Sequence, residues 1–153
     1  MDEDNLIAVG CKFSKQISLH KSDGSHIRTV HTVMIDAHLT TYKQRFVYTN
    51  YWNRMLYSMN YDGSTVFAAN VPSSSVSYWG PNGVCCDKSG GIYVAVRGYW
   101  PANEILRYTM DGAYIGCVIT GCDLPWGIAL TPDEKDLVVA TNDSVTIFTR
   151  AEG

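Results

Sequence analysis

The chain has 153 residues, of which 46% are hydrophobic and 12% aromatic, and its formal net charge is −3. That length and apolar content suffice for one globular domain and exclude a disordered chain. The slight acidity gives no overall basic signal for nucleic acid. No apolar run reaches the roughly 18 residues of a membrane span. The start, MDEDNLIAVG, lacks the basic and apolar segments of a secretory leader. We therefore expect a cytoplasmic protein.

A short β-rich run recurs four times along the chain, which is the first sign of a repeat protein. Its copies occupy residues 6–9, 46–49, 92–95 and 137–140, at intervals of 40 to 46 residues. A loop and a second run follow each copy. Three of the second runs lead into an Asp-Gly pair, at Asp23-Gly24, Asp62-Gly63 and Asp111-Gly112. Asp-Gly between two β-rich runs predicts a tight turn into a third strand.

Two further strand types complete the repeat. A strand follows each Asp-Gly pair, at residues 26–30, 65–70 and 114–120, and another precedes three of the repeats, at 32–37, 83–86 and 126–130. With the four types labelled a to d, the chain has the order bcd-abcd-abcd-abc. Four-stranded antiparallel units at this period are typical of β-propeller blades. We predict an all-β fold: one β-propeller segment over residues 1–153, with blades at 5–30 (partial), 32–70, 81–120 and 126–150 (partial).

The predicted blades do not determine how the propeller ring is completed. An open arc of blades exposes unpaired edges, which proteins usually cover. Three closures are consistent with the sequence: a small four-bladed ring, copies paired head to tail into one ring, or a piece of a longer chain.

Two known families share residues with these repeats. Residues 81–114 resemble an NHL repeat through Gly83-Val84, Gly90-Gly91, the run Ile92 to Ala95, and Asp111-Gly112. Residues 125–150 repeat the resemblance through Pro125-Trp126-Gly127 and Pro132-Asp133. Residues 47–64 are similar to the YWTD blades of lipoprotein-receptor propellers through Tyr48-Thr49-Asn50 and Asp62-Gly63-Ser64. The chain departs from the NHL pattern at Val96 and Thr141, where those blades usually carry Asp.

The NHL resemblance implies a functional context. It suggests the C-terminal propeller of a tripartite-motif-type protein. In that family such modules bind proteins or RNA, while other domains carry ubiquitin-ligase activity. This chain has no zinc-binding segment, so ligase chemistry is not expected here.

Strand alternation divides the loops between two ends of the blades. The b–c and d–a loops share one end, which collects all four tryptophans and several Lys and Arg residues. The other end collects Asp23, Asp62, Asp87, Asp111, Asp133 and Glu134. Because Trp, Tyr and Arg commonly anchor interfaces, we predict a ligand surface at the aromatic and basic end. Its residues are Tyr51, Trp52, Arg54, Trp79, Arg97, Tyr99, Trp100 and Trp126.

The predicted function is a non-catalytic recognition or scaffold module that binds a protein or peptide, with single-stranded RNA as the other ligand class. A competing interpretation of the same residues is structural, since repeated tryptophans also wedge between blades. No phosphate loop, GxSxG or HExxH motif is present, so we predict no enzyme, metal or cofactor.

Two alternatives stay open from the sequence. One is a metal-assisted propeller hydrolase or lyase, for which Asp36, Asp123 and His31 come nearest to a central channel. Its weakness is that His20, His26, His31 and His38 are predicted not to converge on one face. The other is a half-propeller that completes its ring by homo-oligomerisation.

Overall fold

A computed structural model gives the fold and describes residues 1–73, 79–99 and 103–151. These residues form fourteen β-strands in four antiparallel sheets, and no helix occurs among them. The predicted all-β class is confirmed. No helix in the described part of the chain has the length and apolar character needed to cross a membrane.

The strands pair in chain order within each sheet. Sheet 1 contains β1 (Ile7–Cys11), β2 (Gln16–His20) and β3 (His26–His31). Sheet 2 contains β4 (Leu39–Tyr42), β5 (Arg45–Asn50), β6 (Met55–Asn60) and β7 (Thr65–Asn70). Sheet 3 contains β8 (Trp79–Cys86), β9 (Ile92–Gly98), β10 (Glu104–Tyr108) and β11 (Tyr114–Thr120). Sheet 4 contains β12 (Gly127–Leu130), β13 (Asp136–Ala140) and β14 (Val145–Thr149). Three, four, four and three strands reproduce the predicted bcd-abcd-abcd-abc order.

The first strand of sheet 2 lies elsewhere than predicted. Residues 32–37 were expected to form it, but β4 begins at Leu39 and residues 32–38 are irregular. Side chains of β5 donate hydrogen bonds to backbone carbonyl groups of this segment. The Tyr48 hydroxyl donates to the Val33 carbonyl at 3.3 Å, and Asn50 Nδ2 donates to the Met34 carbonyl at 2.6 Å. Ile35 is apolar because it is buried in the core. The sequence pattern of this segment therefore resembles that of a strand, although the segment forms no ladder with a neighbouring strand.

The Asp-Gly pairs form turns. Gly24, Gly63 and Gly112 have φ angles of 88°, 94° and 87°, a left-handed conformation that glycine adopts without a steric penalty. In the second turn, Asp62 Oδ1 accepts a hydrogen bond from Ser64 N at 2.8 Å. The hydrogen bonds from Ser64 hold the pKa of Asp62 below its usual value.

Asp87 departs from the predicted acidic surface, because its side chain is buried. Oδ1 accepts hydrogen bonds from the Ser89 and Gly91 amides at 3.0 and 2.8 Å. Oδ2 lies 3.3 Å from Arg150 and 3.8 Å from Arg107. Burial raises the pKa of Asp87, but these hydrogen bonds and cations outweigh it and hold the pKa below its usual value. Asp87 therefore belongs to the junction of sheets 3 and 4.

Three apolar clusters fill the spaces between successive sheets. Alternate residues of a strand point to opposite faces, so Phe46 packs toward sheet 1 while Val47 packs toward sheet 3. Both faces of the middle sheets are thus buried. The cluster between sheets 3 and 4 includes Tyr93, Ile105 and Leu137. Burying each large apolar side chain contributes about 1.5–3 kcal/mol, so the interfaces between sheets supply the main cohesion.

The first strands of sheets 2, 3 and 4 approach one another most closely. β8 lies beside both β4 and β12. The Gly83 amide donates to the Trp126 carbonyl at 2.7 Å. A Cβ atom at Gly83 would lie 2.5 Å from that carbonyl oxygen, and one at Gly80 would lie 2.5 Å from the Tyr51 carbonyl oxygen. Backbone therefore meets backbone at both junctions.

The four sheets form an open arc. Contacts between neighbouring sheets run in the order 1–2–3–4, and within the described ranges no contact of comparable size joins sheet 1 to sheet 4. Of the three closures that the sequence leaves open, the small four-bladed ring is not what the described residues form.

Replacing Gly83 by Ala tests the close approach. The added methyl group would overlap the Trp126 carbonyl and push sheets 3 and 4 apart. We expect a loss of about 1–3 kcal/mol in the free energy of unfolding, measured by urea denaturation.

Gly127→Ala is the matched control, since its Cβ would meet only the Cβ of Ala140 at 3.8 Å. Equal stability of the two variants would contradict the tight junction at Gly83.

Candidate functional site

A cleft of about 520 Å³ opens at the end of the sheets where the β1–β2, β5–β6 and β9–β10 loops lie. The connections from β3 to β4 and from β11 to β12 complete its walls. Loops attached to all four sheets contribute. The lining residues are Lys12, Asp36, Ala37, Tyr51, Trp52, Asn82, Arg97, Gly98, Tyr99, Leu124 and Trp126.

Five of the eight predicted ligand residues line this cleft: Tyr51, Trp52, Arg97, Tyr99 and Trp126. Two others, Arg54 and Trp79, lie outside it and contact each other, with the Arg54 guanidinium 4.6 Å from the centre of the Trp79 ring. Trp100, the eighth, falls outside the described residues.

The aromatic side chains present a large accessible apolar surface. Trp52 is 64% exposed, Tyr99 is 71% exposed and Trp126 is 42% exposed. Tyr51 is partly buried and meets the Trp52 ring edge to face, with the centroids 5.2 Å apart. Clustered, exposed aromatic side chains in a concave site are typical of surfaces that bind partners.

A cation from one sheet contacts the residue that leads into the next sheet, at each of the three junctions. Lys12 Nζ lies 2.6 Å from Asp36 Oδ1. The equivalent contacts are Arg54 over Trp79, at 4.6 Å, and Arg97 over Trp126, at 4.0 Å. We call these three contacts the junction pairs. Trp79 also packs against the apolar cluster between sheets 2 and 3, in line with the competing structural interpretation, whereas Trp126 is 42% exposed and faces the cleft.

The sequence placed five of the six junction-pair residues, all but Asp36, at one end of the blades without pairing them. A signal for the pairing was present, because the partners are 24, 25 and 29 residues apart along the chain. Each spacing is the number of residues from the b–c loop of one blade to a residue at or shortly before the start of the first strand of the next blade. Asp36, Asn82 and Leu124 line the cleft but were absent from the predicted ligand set.

The charges in the cleft are unequal. The Asp36 side chain is only 9% exposed; it pairs with Lys12 and accepts a hydrogen bond from the Tyr51 amide at 3.4 Å. Arg97 forms no ion pair with a carboxylate among residues 1–73, 79–99 and 103–151. Burial lowers the pKa of nearby His38, and Asp36 offsets this only in part. Among the described lining residues of the cleft, the positive charge of Arg97 is therefore uncompensated.

Hydrogen bonds fix the floor of the cleft. Thr49 Oγ1 donates to the carbonyl of the buried Asn82 at 2.6 Å, and Asn82 Nδ2 reaches the Pro125 carbonyl at 3.5 Å. The neighbouring Leu124 has a φ angle of 46°, which leucine rarely adopts. Its backbone strain, about 1–2 kcal/mol, persists only where the surroundings hold the loop.

The residues considered for a metal site are dispersed. Asp36 binds Lys12, and neither Asp123 nor His31 lines the cleft. The rings of His20 and His26 meet at 5.4 Å on sheet 1, a contact of two of the four histidines that the sequence did not single out. No group of three or more His, Cys, Asp or Glu suited to a metal ion occurs in the described part of the chain.

A second cavity, of about 670 Å³, lies between sheets 3 and 4. Arg107 and Arg150 line it, and both cations lie over the Tyr93 ring, at 5.5 and 5.3 Å. Asp87 accompanies both arginines, so their charge is partly compensated. This cavity contains none of the predicted ligand residues.

The comparisons with known proteins establish the fold. No family model and no curated protein matches the sequence. Hydrazine synthase from Kuenenia stuttgartiensis is similar in structure, with a TM-score of 0.76 at 14% identity, over 97% of this chain and 44% of that one. A Lactobacillus plantarum protein solved by a structural genomics consortium has a TM-score of 0.73 at 18% identity, over 99% of this chain and 50% of its own.

Both neighbours have propeller-type folds, which confirms the predicted fold class. At such identities the likeness concerns the fold alone. The chain spans about half the length of these solved structures.

Proposed function

We propose that this chain is a non-catalytic recognition module that binds a protein or peptide segment in the cleft. The observation that carries the proposal is the convergence of exposed Trp52, Tyr99 and Trp126 on one concavity built by the loops of four sheets. Its volume suits a few side chains of an extended peptide. Large aromatic contacts around a concave centre supply most of the affinity in such interfaces.

The charge of the cleft favours a peptide over RNA. Single-stranded nucleic acid is bound by positive grooves that follow several phosphates while bases stack on aromatic rings. This cleft has the rings, but Lys12 is paired with Asp36, so one uncompensated cation, Arg97, remains among its described lining residues. That charge is too small for a phosphate-tracking groove and adequate for one polar group of a peptide.

The wider context is part of the same proposal. The NHL and YWTD resemblances favour a module of a larger assembly, such as the propeller of a tripartite-motif-type protein. All five cysteines are free thiols, and three of them are wholly or partly buried in the sheets or the β11–β12 connection: Cys85, Cys86 and Cys122. Unpaired buried thiols suit a reducing compartment, so we propose a cytoplasmic location.

Removing the two most exposed cleft aromatics tests peptide binding. In the double variant Trp52→Ala and Tyr99→Ala, we expect affinity for blocked octapeptides to fall at least about tenfold, because each large aromatic anchor contributes over about 1 kcal/mol. Binding is measured by fluorescence polarisation, with circular dichroism to verify the fold.

Phe13→Ala is the matched control. Phe13 is an almost fully exposed aromatic residue in the β1–β2 loop that does not line the cleft. If the double variant binds as the wild type does, or if Phe13→Ala weakens binding equally, the cleft is not the peptide site.

A second proposal, self-assembly, rests on the outward face of sheet 4. Val145 and Ile147 are 66% and 63% exposed there, next to Val138 and Ala140 on the neighbouring strand. In sheets 2 and 3 the equivalent faces are buried by the next sheet. We propose that sheet 1 of a second copy covers this face head to tail, with Val9 on its own outward face.

Ile147→Lys tests the assembly, because a buried, unpaired lysine at a contact of this kind would disfavour it. We expect the wild type to sediment as a dimer in analytical ultracentrifugation and the variant as a monomer. Ile115→Lys, a change at an exposed isoleucine of sheet 3, should leave the dimer intact. A monomeric wild type rules the assembly out.

A further inference from the structure

We propose that the peptide in the cleft carries an acidic side chain and that Arg97, stacked on Trp126, receives its carboxylate. This inference rests on the proposed peptide-binding function and specifies its ligand. It follows from the different contacts that Lys12, Arg54 and Arg97 make at the end of the sheets where the cleft lies.

Arg97 differs from the other cations at this end of the molecule. Lys12 is held by Asp36 at 2.6 Å, and Arg54 stacks on Trp79 outside the cleft. Arg97 lies at the end of β9 and lines the cleft, with its guanidinium 4.0 Å from the centre of the Trp126 ring. Within the described residues, its side chain makes neither an ion pair nor a hydrogen bond to the protein.

Stacking on Trp126 leaves the N–H donors of the Arg97 guanidinium accessible to a ligand. The attraction to the indole ring engages the flat face of the guanidinium, whereas its N–H donors lie in the plane. Those donors form a fork that matches the two oxygens of a carboxylate. An unoccupied fork at the wall of a cleft is therefore suited to an acidic group.

Hydrogen bonds fix the backbone of Trp126, the residue on which Arg97 stacks. The Trp126 amide donates to the Ala140 carbonyl at 2.8 Å, and its carbonyl accepts from Gly83 at 2.7 Å. Both bonds tie Trp126 to strands of sheets 3 and 4. The stack on the Trp126 ring at 4.0 Å already restricts Arg97 before a carboxylate binds, which favours affinity.

The rest of the cleft defines what accompanies the acid. Trp52, Tyr99 and Leu124 offer apolar surface beside Arg97, so the flanking residues of the peptide are apolar or aromatic. At the sheet 1 side, the Asp36 carboxylate would repel a second acid, even though Lys12 partly neutralises it. The ligand is therefore a segment with one acidic side chain among apolar residues.

The test is a positional array of octapeptides, acetylated and amidated so that neither terminus is charged. Each position is varied in turn, with Asp and Glu compared against Asn and Gln of nearly the same shape. We expect one position to prefer the acid by at least about tenfold, as a charge-assisted hydrogen bond implies. Binding of the acidic peptides should weaken as salt rises, and that of their amide counterparts should not.

Two variants locate the acid preference. Arg97→Gln should remove the preference, so that acidic peptides and their amide counterparts bind this variant with equal affinity. Arg97→Lys should retain only part of it, because lysine keeps the charge and lacks the planar fork. Arg54→Gln is the matched control: it removes an equivalent junction cation from outside the cleft, and it should leave the preference intact. Circular dichroism verifies that each variant folds.

The outcomes separate this inference from the function on which it rests. If peptides bind without any preference for an acid, or if Arg54→Gln abolishes the preference as Arg97→Gln does, the acidic-ligand inference is wrong and peptide binding stands. If only octapeptides with a free C-terminus bind, the carboxylate is that of a chain end, which overturns the side-chain assignment. If an oligouridylate binds and no octapeptide does, both proposals fall.

Discussion

The hydrogen bond from the Gly83 amide to the Trp126 carbonyl sets the spacing on which the other features depend. Two backbones meet there without a side chain between them, so the first strands of sheets 3 and 4 lie nearer than packed side chains would allow. Gly80 permits the same approach against Tyr51 of sheet 2. This convergence brings the loops of four sheets within reach of one another. The cleft exists because the first strands converge.

The junction pairs turn that convergence into a shaped surface. An ion pair occupies this position at the junction of sheets 1 and 2. Arg–Trp stacks occupy the equivalent positions at the next two junctions. The ion pair consumes its charge, whereas the stack between sheets 3 and 4 leaves the charge of Arg97 available. One structural motif, repeated with different chemistry, thus makes a cleft whose two sides differ in electrostatic character. That asymmetry favours one orientation of an extended peptide in the cleft.

Most of the fold was predictable from the sequence because β-rich runs and Asp-Gly turns recur in register. β7, β11 and the strand order are consequences of that repeat. β4 was misplaced because Ile35 is apolar for core packing while its segment pairs in no ladder, and the exposed Val33 adds to the strand-like pattern. Asp87 was misplaced because its partner Arg150 is 63 residues away, a contact that no local pattern reveals. Alternation put the aromatic residues at one end, but whether Trp79 or Trp126 reaches the cleft depends on loop geometry that periodicity does not encode.

Peptide binding in the cleft is tested most directly by a titration of ¹⁵N-labelled protein with the tightest-binding blocked octapeptide, followed through the indole N–H signals. The tryptophans offer an internal comparison, since Trp52 and Trp126 line the cleft and Trp79 lies outside it. Binding in the cleft should shift the signals of Trp52 and Trp126 with the same saturation curve and leave that of Trp79 in place. Saturable binding that moves Trp79 and leaves Trp52 and Trp126 unchanged would contradict it.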